Sequence, residues 1–428
     1  MHVSRSTRPS PGPRILSSVV LLTGLIGCAS NAETSPTTEG SDSAGARIVE
    51  NHGPRWKPGE GWTVSAGPRL TMGVLDGSEE YQFVNVLAAS RQSDGDLVVL
   101  DGGAQSVRLY DAGGKFLRTL GGAGSGPGEF VNPGQVLVTE EDSVIVWDNA
   151  LFRLTRFDPA GELAEVRTVD LAAIAKALDP PLYPGSIIPL ADGRLLVRLL
   201  EKVLTKGSAA SSSWKPRARS GALIVSGDLS TIDTLSFFGD GEETTVEAPW
   251  GPQAIRAPFG KRSWIAHQGS PAKVCVGDQE APEIECFGPG DDRMLLRWSW
   301  AAPPAPTDTE MEAWRDATLR LFGQKIAEDD ILRMLDEVQI PATRPPYSQI
   351  LLDRVGFLWV ELGPSGEPAS SVDFLVFDQE GVLLGAVALP AIQVLEIGDD
   401  YLLGLHHDEL EVEYLMVYAL DKPRGGDH

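Results

Sequence analysis

Ser93-Asp94-Gly95-Asp96, Leu97-Val98-Val99-Leu100-Asp101, Val107-Arg108-Leu109-Tyr110-Asp111 and Gly113-Gly114-Lys115-Phe116-Leu117 follow one another in the stretch from Ser90 to Val136. Each apolar run is short and each ends in Asp or Gly, the residues that reverse a strand. The reading is strand, turn, strand, turn, strand. Directly behind it, Gly121-Gly122-Ala123-Gly124-Ser125-Gly126-Pro127-Gly128-Glu129-Phe130 packs five glycines and one proline into ten residues. Neither a helix nor a strand tolerates that composition in its interior, so this segment is a loop that passes the chain to another unit.

The unit repeats. Glu141-Asp142-Ser143, Val144-Ile145-Val146-Trp147-Asp148 and Leu154 to Leu163 restate the same order, and the pairs Tyr110-Asp111 and Phe157-Asp158 lie 47 residues apart. A period in the forties with several strands per repeat is the mark of propeller blades. Weaker copies run through 190–197, 222–225 and 231–235, then through 263–267, 273–276 and 284–287. A fifth is clear at 350–360 and 373–381, and a sixth covers 394–397, 401–405 and 414–418. The sixth is one strand short, and an unpaired edge invites aggregation. Trp62 to Ala66 and Leu70 to Gly73, which read as an isolated strand pair or one strand kinked at Pro68, have no local partner. Pairing one of them with the last blade would close a ring. Asp101, Asp148 and Asp378 are expected to occupy the same place in the repeat and to cap turns.

One segment departs from the pattern. Thr307 and Glu310 form a capping box, and Met311, Trp314, Leu321 and Phe322, then Ile331, Leu335 and Val338, follow at helical spacing before Pro341. A helical hairpin inserted near 307–340 and packed on one face of the ring is expected.

The N-terminus carries Arg5, Arg8 and Arg14 and then an apolar run from Ile15 to Gly27. Thirteen residues are too few to span a bilayer, which takes about 20, so 1–27 reads as a signal peptide. Leu25-Ile26-Gly27-Cys28 resembles the bacterial lipobox. The resemblance implies lipidation at Cys28, which becomes the first mature residue, and Ala29 behind it resembles the sorting pattern for an outer membrane. Residues 28–59 are mostly Ser, Thr, Gly, Glu, Ala and Pro and are expected to be a disordered tether. The folded domain is expected at 60–422 and a polar tail at 423–428. Loss of three Arg and no acid with the signal takes the net charge from −24 to −27. Such a surface repels phosphate backbones, which excludes nucleic acid as a partner.

With the Gly121 to Phe130 linker, Asn132-Pro133-Gly134 behind it, the Asp94 to Asp101 pattern and its Ser143 variant at Asp142 to Asp148, the chain resembles the NHL-type six-bladed β-propellers. The fold class expected is therefore all-β: a six-bladed β-propeller closed by an N-terminal strand. Propellers of this kind include RNA binders, sensor domains, lyases and lactonases, so the resemblance speaks for fold and not for activity.

Cys275 and Cys286 lie on adjacent apolar runs joined by the turn from Gly277 to Pro282, within reach of a cross-strand disulfide in an oxidising compartment. Of six histidines only His267, His406 and His407 fall inside the domain, and two of those are neighbours that point to opposite faces of a strand. No zinc or other metal site is expected from them, no residue is assigned a catalytic role, and no cofactor is expected. There is no nucleophile elbow and no phosphate loop with its Lys. The function expected is a monomeric, lipid-anchored module of the bacterial cell envelope, outer membrane in location, that binds or scaffolds a protein, peptide or glycan partner without catalysis. The alternative, implied by the lactonase-like relatives, is a calcium-dependent hydrolase or lyase with the metal in the central channel.

Overall fold

The computed structural model of the chain describes residues 38–43, 45–178, 182–201, 217–290, 292–299, 305–323, 325–363 and 371–422. The chain divides between Ser35 and Pro36, and all described residues belong to the C-terminal unit. Residues 1–27, read above as a signal peptide, Cys28, the first residues of the expected tether and the tail 423–428 lie outside the described residues.

Six antiparallel blades build the fold. Blade 1 is Val86–Arg91, Leu97–Asp101, Ser106–Tyr110 and Phe116–Gly121, and blade 2 is Pro133–Val138, Val144–Asp148, Arg153–Phe157 and Leu163–Thr168. Blade 3 is Leu182–Pro189, Leu195–Glu201, Arg219–Val225 and Ile232–Gly239; blade 4 is Trp264–Gln268, Lys273–Gly277, Glu283–Phe287 and Arg293–Trp298. Gln349–Leu352, Leu358–Glu361, Ser371–Phe377 and Leu383–Pro390 form blade 5. Blade 6 has three strands of its own, Gln393–Ile397, Tyr401–His407 and Glu413–Asp421. Its fourth is the early segment Leu70–Met72, paired through Leu415↔Met72 and Val417↔Leu70, and Thr63–Val64 pairs further along the same strand. The segment from Thr63 to Met72 and the last strand of the chain thus share one sheet. Gly73 turns the chain away from that seam with φ +132, where a Cβ would stand 2.2 Å from the Glu413 carbonyl oxygen.

The second strand of each blade explains why its sequence is a continuous apolar run rather than an alternating one. All five residues of Leu97–Asp101 are buried, because the strand is covered on both sides. Leu97 and Val99 face Leu403, Leu405 and Leu415 of blade 6, while Val98 and Leu100 face Val138, Val144 and Val146 of blade 2. Four further clusters fill the remaining blade interfaces, from Trp147 against Leu195 to Trp359 against Val394. Six interfaces and six clusters make a closed ring.

The repeated aspartates hold turns, in two series. Asp101 and Asp148 end the second strand and are fully buried; Asp148 accepts the N–H of Val131 and Asn132 on one oxygen and of Ala150 and Leu151 on the other, at 2.7–3.1 Å. Asp378 does not belong with them. It follows the third strand, as Asp111 and Asp158 do, and accepts Val382 N–H at 2.8 Å. The glycine linker is held as well: Phe130 is its buried anchor, and the Arg153 guanidinium donates to the carbonyls of Ser125, Gly126 and Glu129. A Cβ on Gly121 would lie 2.5 Å from the Phe130 ring.

Three features differ from expectation. Order reaches well back into the region read as tether: Ala46–Asn51 pairs in parallel with Arg293–Trp298 on the outer edge of blade 4, and Thr38–Ser43 pairs with it in turn. Val49 supplies the burial at 2% exposure, and Asn51, also 2% exposed, donates to the carbonyls of Arg297 and Gly381 and accepts Leu383 N–H. A composition poor in apolar residues hid a strand whose binding rests on backbone pairing and one amide. The second feature is a hairpin, Glu243–Ala248 with Gly251–Arg256, inserted between blades 3 and 4. The third concerns the helices Asp308–Phe322 and Glu328–Glu337. The capping box of Thr307 and Glu310 is formed, but the second helix packs Met334 and Val338 against Val246 and Ala248 of that hairpin, and Leu321 on the first helix is 69% exposed. A short helix, Leu171–Lys176, follows blade 2. Among the described residues no helix is long and apolar enough to cross a membrane.

Candidate functional site

Strands of a blade alternate in direction, so the turns between first and second strands all gather at one end of the ring. There the first strands converge on the axis. Arg354, in that turn of blade 5, occupies the centre. Its guanidinium donates to Ser90 Oγ at 3.0 Å and to the Arg91 carbonyl on blade 1, and pairs with Glu396 of blade 6 at 3.0 Å. The same side chain lines a cavity of about 80 Å3 whose other walls are Val138 to Glu140, Leu190 and Ala191, and His267 to Gly269, from blades 2, 3 and 4. One cation on blade 5 bonds to blades 1 and 6 and faces blades 2, 3 and 4 across this cavity.

Glu396 is the matching anion. It accepts from Ser90 Oγ, Arg91 N–H at 3.0 Å, Arg354 and the Tyr401 hydroxyl. A carboxylate offers about four acceptor positions, and four donors fill them. Burial, with the adjacent Glu396 charge second, holds the Tyr401 phenol well above its ordinary range. Arg91 stacks over the Tyr401 ring at 4.6 Å and reaches Asp400 at 3.2 Å.

His267 lies on the first strand of blade 4, and burial pushes its imidazole down to about 4. It is neutral at neutral pH. Its neighbours in the sequence argument are elsewhere: His406 and His407 end the second strand of blade 6 at the far end of the ring, where His407 Nε2 meets Glu413 Oε1 at 3.3 Å. Among the described residues no group of three or more His, Cys, Asp or Glu is gathered to hold a metal ion. Cys275 and Cys286 face each other in register on neighbouring strands of blade 4 and form a disulfide, Cα–Cα 4.0 Å. Their bond is buried at the interface with blade 5.

Beside Arg354, a wider groove of about 430 Å3 opens between blades 4 and 5. Lys273 sits in it with its Nζ 3.3 Å from the Gln379 carbonyl, and burial lowers its amine from the usual range despite Asp292 and Glu380 nearby. Of the residues at this end of the ring, the sequence singled out only His267, as a histidine inside the domain. Ser90, His267, Arg354 and Glu396 span more than 300 positions, and only ring closure brings them together.

A family model described as a 6-bladed beta-propeller matches residues 78–182, which carry blades 1 and 2 and the entry to blade 3. No curated protein matches the sequence. Among solved structures, the chain is similar to a protein from Bacteroides fragilis described as exported, at 13% identity over 85% of this chain and 96% of that one, TM-score 0.44. It is similar also to a member of the duf4221 family from Bacteroides vulgatus, at 9% identity over 84% and 99%, TM-score 0.45. A gluconolactonase from Xanthomonas campestris aligns at 13% identity over 85% and 98%, TM-score 0.39. With six blades, six interfaces and a last sheet completed by Leu70–Met72, this chain is an all-β, six-bladed β-propeller.

Proposed function

We propose that the protein is a non-catalytic binding module of the cell envelope, anchored by lipid on Cys28, that offers the Arg354 end of its ring to a protein, peptide or glycan. The observation that carries this reading is the saturation of Glu396. A general base or a metal ligand needs a free lone pair, and Glu396, the carboxylate paired with Arg354, has given its acceptor positions to Ser90, Arg91, Arg354 and Tyr401. His267, half-buried on the cavity wall, is held neutral by desolvation. These groups brace the ring and leave a rim of turns for contact.

The test uses mature protein carrying Cys28→Ser, purified without chelator. Calcium content and turnover of a panel of lactones are measured on it, and the wild-type chain is followed in membrane fractions. Sub-stoichiometric calcium, no turnover, and membrane association lost in Cys28→Ser support the proposal. Stoichiometric calcium with lactone hydrolysis overturns it in favour of a lactonase-like enzyme.

A further inference from the structure

At the opposite end of the ring, where the first strand of blade 4 begins, a cavity of about 200 Å3 lies between blades 3 and 4. Three arginines of a strongly acidic chain point to it: Arg198 from the second strand of blade 3, Arg256 from the end of the inserted hairpin, and Arg262 from the loop that leads to blade 4. Only Arg198 is balanced, by Asp240 at 2.7 Å, with Ser263 Oγ also accepting from it at 2.6 Å. Arg256 and Arg262 have no acceptor for their guanidinium groups among the described residues. Partial desolvation and then the neighbouring Arg256 work against the charge on Arg262, although both side chains stay exposed. Two more donors are stranded here: Arg198 Nε and Trp264 Nε1 are buried with no hydrogen-bond partner.

Buried donors are ordinarily paired, and like charges are ordinarily kept apart. Here two buried donors, Arg198 Nε and Trp264 Nε1, are unpaired beneath the exposed guanidinium groups of Arg256 and Arg262, and the Asp240 carboxylate in the lining is already paired with Arg198, so the cavity is complementary to an anion. We infer that this cavity binds an oxyanion, the carboxylate or phosphate of a small molecule, with Arg256 and Arg262 supplying the charge and Trp264 Nε1 and Arg198 Nε supplying the directed hydrogen bonds. Guanidinium groups suit such oxygens because their paired N–H groups match the spacing of two of them. The volume sets the size: at ~30 Å3 for a water's share of the liquid, the cavity holds an acidic monosaccharide or smaller. This site stands at the end of the ring away from Arg354, so its failure leaves the proposal above untouched.

The test is calorimetric titration of the Cys28→Ser protein with inorganic phosphate and with glucuronate, glucose serving as the uncharged control, while tryptophan emission is recorded in parallel. Expected is saturable binding of one or both anions, none of glucose, and weakening of about tenfold or more in Arg256→Gln and in Arg262→Gln. Trp264→Phe removes the emission change. Both arginine variants keep or raise the melting temperature, because each relieves a repulsion and breaks no pair. Phosphate alone, glucuronate alone or both saturating identifies the oxyanion. The inference is overturned if neither anion saturates the folded protein by about 10 mM. It is also overturned if binding survives both arginine variants, or if the variants lose binding only together with a lowered melting temperature.

Discussion

Asn51 offers the sharpest test of where the fold begins. Its amide holds three backbone groups: it donates to the carbonyls of Arg297 at 3.1 Å and Gly381 at 3.0 Å, and accepts Leu383 N–H at 2.8 Å. Arg297 belongs to blade 4, while Gly381 and Leu383 belong to blade 5, so one side chain ties two blades. Asn51→Leu keeps the volume and removes all three bonds. A buried N–H left without a partner costs about 1–3 kcal/mol, and each buried carbonyl, with a second lone pair, less. The sum is about 3 kcal/mol. Unfolding entropy near 2.1 cal/mol/K per residue over roughly 380 residues gives about 0.8 kcal/mol/K, so the melting temperature should fall by about 4 °C. Differential scanning calorimetry would show it. A companion pair of truncations separates tether from fold: removal of residues 1–37 should leave the transition in place, whereas removal of 1–52 strips both outer strands from blade 4 and should lower it by more than Asn51→Leu does. If Asn51→Leu melts within 1 °C of the parent, or if both truncations behave alike, residues 46–51 contribute nothing and the reasoning fails.

Two further outcomes follow from buried ionisable groups. Asp148→Ala strands four backbone N–H groups and should cost about 4 kcal/mol in urea denaturation, while Asp148→Asn, which keeps an acceptor for Ala150 and Leu151 but turns donors toward Val131 and Asn132, should recover about half of that; equal stability of Asp148→Ala and the parent would refute the capping role. His267 has its folded pKa depressed from 6.5 to about 4, so its neutral form contributes stability that is present above 6.5 and is lost as pH falls toward 4. In His267→Gln the decline of melting temperature across that window should be shallower than in the parent, and an imidazole carbon shift that titrates near 6.5 in the folded protein would contradict it.

The sequence carried the ring more plainly than it carried the site, for a physical reason. A strand buried on both faces must be apolar at every position, and a turn must offer Asp or Gly, so Leu97 to Asp101 and Val144 to Asp148 announce their places locally. The closing strand could be inferred because blade 6 needed a partner and the Leu70 segment needed one too. By contrast, Ala46–Asn51 makes its pairing through the backbone and shows only Ile48 and Val49 as apolar residues in its middle. The hairpin at 243–256 is half polar on an exposed layer, and its partner helix was therefore assigned to the ring. Asp378 was grouped with Asp101 and Asp148 because all three follow apolar runs, although strand direction places it at the other end of its blade. Arg354, Glu396, Arg256 and Arg262 have no local pattern at all. Their meaning depends on neighbours hundreds of residues distant.

The early segment also has a mechanical meaning. From Ala46 to Met72 it runs along the outside of the ring, paired to blade 4, hydrogen-bonded to blade 5 where Arg55 and Trp56 N–H meet the carbonyls of Leu383 and Leu384, and then stitched into blade 6. A pull transmitted through the residues before Ala46 first opens the pairing of Thr38–Ser43 with Ala46–Asn51 and is then taken by the rungs between Ala46–Asn51 and Arg293–Trp298, strained together along their length. The joint at Leu70–Met72 lies two blades further on and stays slack until that girdle has torn away.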